Sequence, residues 1–62
     1  MYSVDIIKKL ENSNNSIYET LEYIESENIS LFKEIVSISL LNWTNYDRVN
    51  EVIEYIKRKN YL

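Results

Sequence analysis

The chain has 62 residues, none of them Cys, His, Gly or Pro, and 7 Lys and Arg against 10 Asp and Glu leave it a net charge of −3. This composition excludes a disulfide framework, a Cys/His zinc site, a His- or Cys-centred catalytic apparatus and a Gly-rich phosphate loop, and its net negative charge works against nucleic acid. One domain over residues 1–62 buries only about 60% of the surface that its unfolded chain exposes, so with no staple to hold it, self-association is the expected reinforcement.

Without Gly and Pro the tight turns of a sheet are hard to make, which leaves an all-α chain. Asn and Ser mark its breaks, at Ser13-Asn14-Asn15-Ser16, at Asn28 and from Asn42 to Asn45. Asn is the best non-Gly occupant of the left-handed position that closes helices. Ser3 is placed to cap a first helix of about ten residues, with Val4, Ile6, Ile7 and Leu10 as its apolar side and Asp5 spaced to pair with Lys9. Ser16 and Glu19 form a capping-box pattern, behind which Ile17, Leu21 and Ile24 share one face of a second helix. Asn28 or Ser30 opens a third, in which Leu31, Phe32, Ile35, Val36, Ile38, Leu40, Leu41 and Trp43 leave few polar sides, so it belongs in the centre. Thr44, Asn45 or Asp47 caps a fourth, with Val49, Val52, Ile53 and Ile56 as its buried stripe and Glu54 spaced to pair with Arg58.

Carboxylates, Ser, Lys and Tyr are the remaining raw material for chemistry. Glu22 with Glu25, or Asp47 with Glu51, could hold a cation or act as acid and base. A solvated helix face explains either pair more simply, because a chain this short can hardly enclose a pocket. No enzyme, cofactor or metal is expected. Six tyrosines exceed what a small core requires beside Phe32 and Trp43. Tyr is enriched where proteins meet, so Tyr18, Tyr23, Tyr46 and Tyr55, with Trp43 at the core or its edge, form the candidate protein interface. Rings lying over the rim of the core with their hydroxyls in water would account for the tyrosines equally well. Lys57-Arg58-Lys59 admits phosphate contact, plain solubility or a match to the dipole at a helix C-terminus, and the last explains it fully, so phosphate contact is the minority reading.

The segments Leu21–Ile35 and Val49–Leu62 resemble, in their apolar spacing, the helical part of a winged helix-turn-helix domain without its wing. The resemblance implies a compact bundle of three to four short helices in a helix-turn-helix-like arrangement. It also implies a DNA-binding transcriptional regulator in which Arg48 and Asn50 approach bases while Lys57, Arg58 and Lys59 hold phosphates. Asp47, Glu51 and Glu54 would then face the phosphates as well, which disfavours it. The preferred expectation is a small non-enzymatic regulatory or adaptor protein that binds a protein partner or itself, as a homodimer. The start of the chain has no basic region followed by an apolar stretch, and no apolar run approaches the roughly 20 residues that span a bilayer. A cytoplasmic protein without a membrane partner is therefore expected.

Overall fold

The computed structural model describes residues 2–61, with side chains described from residue 4. Among these residues the chain forms an all-α bundle of four short helices: α1 (Tyr2–Glu11), α2 (Tyr18–Glu27), α3 (Ile29–Asn42) and α4 (Tyr46–Arg58). Helices α3 and α4 pack on each other and on both remaining helices, whereas α1 and α2 do not touch. The central pair is thus flanked by α1 on one side and α2 on another. The core joins Ile7 and Leu10 of α1, Leu21 and Ile24 of α2, Phe32 and Ile35 of α3, and Val52, Tyr55 and Ile56 of α4, with Ile17 and Trp43 at the connections.

The expected faces of α1 and α2 form with one exception, Val4, which stays 54% exposed. In α4, Val52 and Ile56 are buried and Val49 and Ile53 half-buried, while Tyr55 joins them in the centre. The i,i+4 pairs do not form. Among the described residues the ion pairs are Arg48–Glu51 and Lys59–Glu22, so Asp5 with Lys9 and Glu54 with Arg58 remain open.

Helix ends show where local signals fail. The helix already includes Ser3, whose side chain lies outside the described residues, so it does not stand before α1 as a cap. Asn28 behaves as expected: its backbone N–H closes α2 onto the Ile24 carbonyl, and its side chain accepts the Leu31 N–H at 3.1 Å to open α3. At α2 the capping box is absent. Glu51, from α4, takes its place: one carboxylate oxygen accepts the Ile17 N–H at 2.9 Å and the other accepts the Ser16 hydroxyl.

The start of α4 is tied in the same way. Glu11 accepts the Thr44 N–H at 2.7 Å and the Asn45 N–H at 3.4 Å, while the Asn45 side chain donates to the Glu11 carbonyl at 2.7 Å. An acid on the last residue of its own helix opposes that helix's dipole; seated before the next N-terminus it is favoured instead. The left-handed residue is Asn60, with φ of 62°, and not the Asn residues of the internal breaks. Around it the Asn60 N–H reaches the Lys57 carbonyl and the Tyr61 N–H the Ile56 carbonyl, the pair of bonds that defines a Schellman close.

Candidate interaction surface

Tyr55 is fully buried, and Tyr18 and Tyr61 gather with it and Phe32 into one aromatic cluster. The Tyr55 ring centroid lies 4.9 Å from that of Tyr18 and 5.5 Å from that of Phe32, and Phe32 lies 5.7 Å from Tyr61. Tilted ring pairs at such distances add attraction beyond the area they bury. Both hydroxyls, of Tyr55 and Tyr61, donate to Glu25. These two hydrogen bonds hold the Glu25 carboxyl below the usual carboxylate range. Burial first, and then the bond to Glu25, pushes the Tyr55 hydroxyl well above its ordinary value.

The expected protein interface therefore divides. Trp43 lies in the core, within the expected core or its edge, whereas Tyr55 is a correction: it is fully buried among apolar neighbours and offers no ring to a partner. Tyr18 is half-buried against Tyr55, with the Arg58 guanidinium 5.7 Å above its ring. Tyr23 and Tyr46 are free, at 66% and 75% exposure. Three further residues of the outer surface are Ile29, Leu40 and Leu41, the last 81% exposed. The signal for them was the apolar residue on every side of α3, which reads as a central helix. A chain with only three other helices cannot cover all those sides, so the leucines at its end emerge.

Three of the basic residues, Arg48, Arg58 and Lys59, are engaged within the chain. Arg48 donates to the Asn15 carbonyl and lies 3.4 Å from Glu51, clamping the α1–α2 connection; its side chain is only 13% exposed. Lys59 pairs with Glu22 at 3.4 Å and sits 5.5 Å from the Tyr55 ring centre. Asn50 and Lys57 remain exposed. The open side of α4 borders a hollow of about 290 Å3 lined by Ser16, Tyr18, Asp47, Asn50, Glu51, Glu54 and Arg58. Among the described residues no group of three or more acids could hold a metal ion. Of the proposed carboxylate pairs, Glu25 and Glu51 each serve as acceptors for other segments of the fold.

Among the described residues no helix is long and apolar enough to cross a membrane. Compared with family models, curated proteins and solved structures, the chain matches none.

Proposed function

We propose that the chain is a small, non-enzymatic, cytoplasmic regulatory or adaptor protein that acts by protein–protein interaction as a homodimer. The observation that carries this reading is exposure: Leu41, Tyr46 and Tyr23 stand out in water, while Glu11, Glu25 and Glu51 are spent as acceptors for other segments of the chain. Large exposed apolar side chains on so small a body favour association. Light scattering at micromolar concentration tests it: a mass above the 7.5 kDa of one chain is expected, and a stable monomer overturns the homodimer.

The DNA-binding alternative draws less support. Arg48 is committed to the α1–α2 connection, and the exposed side of α4 presents Asp47 and Glu54 beside Asn50, where acids repel phosphates.

A further inference from the structure

Beyond α4 the chain doubles back as a short strap. Asn60 takes the left-handed conformation, and the backbone bonds of Asn60 and Tyr61 close the turn that carries the Tyr61 ring to Phe32 of α3. Side chains fix the strap at three places. The Lys59 ammonium pairs with Glu22 at 3.4 Å, the Tyr61 ring lies 5.7 Å from that of Phe32, and the Tyr61 hydroxyl donates to Glu25. Phe32 is only 2% exposed and Tyr61 49%, so the strap lies on the outside of the aromatic cluster.

We infer that this strap is an acid-sensitive latch: protonation of Glu25 releases Tyr61 and uncovers Phe32 while the four helices stay packed. The reason is the double use of one carboxylate, whose two oxygens accept separately from Tyr55 and from Tyr61. In its charged form the group is a strong acceptor for both. A proton on it occupies one oxygen and turns that oxygen into a donor, so the carboxyl no longer serves two hydroxyls equally well. The two donors are unequal. Tyr55 is fully buried against Tyr18 and Phe32, and it leaves only if the core opens. Tyr61 is half exposed, its hydroxyl finds water in place of the carboxylate, and a turn beyond the last helix opens at far smaller free energy than a core helix does. The strap therefore lets go first.

The surroundings of Glu25 agree with this order. Helix α2 itself brings Glu22, α4 brings Tyr55, the strap brings Lys59 and Tyr61, and α3 packs the uncharged Phe32 beside them. The Lys59–Glu22 pair is exposed on both sides, and such a pair holds little by itself. The hydrogen bonds from Tyr55 and Tyr61 keep the Glu25 carboxyl below its ordinary 4.5, so the latch is shut at neutral pH and opens as pH falls below that value.

Two-dimensional NMR on the full chain, taken from about pH 6 to about pH 3, reads the latch through the ring contact of Tyr61 with Phe32, and reads the core through that of Tyr18 with Tyr55. The first cross-peak is expected to lose most of its intensity in acid while the second keeps its own. Glu25→Gln removes the titrating group and Tyr61→Phe removes the hydroxyl; in each, the contact between the ring at position 61 or Phe32 and its neighbour is expected to be the same at both ends of the range. Circular dichroism matching the parent chain shows that both changes leave the helices intact. A Tyr61–Phe32 contact that persists in acid overturns the latch. So does its loss together with the Tyr18–Tyr55 contact, which is general unfolding, and so does an acid dependence that survives in Glu25→Gln, which assigns it to another group.

Discussion

Two sides of this molecule use their residues in opposite ways. Between α2, α4 and the C-terminal turn, polar groups are drawn inward: Glu25 receives two tyrosine hydroxyls, one of them from the fully buried Tyr55, and Glu51 ties the start of α2 to α4. Along the outer side of α3 and at the start of α4, apolar groups are left in water, with Leu41 81% and Tyr46 75% exposed. The usual correspondence of charge with surface and hydrocarbon with interior is relaxed at both places. Acids on the first side hold the fold together; leucines on the second do little for it and are free to meet another chain.

Removing Tyr55 should break the first side most severely. Tyr55→Ala forfeits the packing against Tyr18 and Phe32 and frees Glu25 of one donor. A large aromatic cut from a core costs about 3–5 kcal/mol, as much as a domain of this size commonly has in total. The variant is expected to be unfolded by circular dichroism at room temperature, whereas Tyr55→Phe, which keeps the ring, is expected to fold with a loss of about 1–2 kcal/mol.

Glu51→Ala comes next. It removes the acceptor for Ile17 and Ser16 and the ion-pair partner of Arg48, and loss of a helix cap of this kind costs about 1–2 kcal/mol. Urea unfolding should show the loss as a lower midpoint at unchanged slope; a midpoint equal to the parent's would remove the cap from the account. A similar but slightly smaller effect is expected for Glu11→Ala, whose bonds to Thr44 and Asn45 lie at a more exposed connection.

Acidity separates the two sides without mutation. The Glu25 carboxyl is held below its ordinary value of 4.5, so the unfolded chain takes up its proton first. The stability that Glu25 contributes is present above about 4.5 and is lost as pH falls through the lower folded value. Tyr55 has the opposite sign: its hydroxyl is raised above an ordinary 10.0, so its contribution is complete below that pH and is lost as pH rises through the folded value. Stability followed by circular dichroism should therefore fall at both extremes, and Glu25→Gln should flatten the acid limb.

The smallest effect on the fold is expected at Leu41. Its exposure predicts that Leu41→Asp changes the stability of the isolated chain by less than about 0.5 kcal/mol, in contrast to the loss at Glu51. A large loss of stability in the separated monomer would place Leu41 in the fold after all and erase the distinction between the two sides.

The all-α class, the four helices and most of their buried faces were legible in the sequence because they rest on spacing within a dozen residues, as with Ile17, Leu21 and Ile24. Asn28 was legible for the same reason, since its acceptor role is local. What escaped depends on residues far apart in the chain. Glu19 had the right spacing to close a cap on Ser16, but Glu51, 35 residues away from Ser16, reaches that end first. Tyr55 was grouped with the interface tyrosines although it stands three residues after Val52 and next to Ile56 of the buried stripe, and the meeting of α2, α3 and α4 around it makes its place central. The left-handed Asn was expected on correct physical grounds at the internal breaks and found at Asn60 instead, where the chain turns back to bring Tyr61 against Phe32. On the candidate interface, spacing alone did not separate the free rings of Tyr23 and Tyr46 from the buried Tyr55, and the exposed leucines of α3 were hidden by the apolar richness of their own helix.

The thermal unfolding midpoint of the parent chain, measured over protein concentrations from micromolar to millimolar, tests the central claim most directly, because association of folded chains stabilises them by mass action. The division between a self-sufficient acid-bonded side and an unfinished apolar side predicts a midpoint that climbs steadily with concentration, and that ceases to climb in Leu41→Asp. A midpoint constant across the whole range would contradict it.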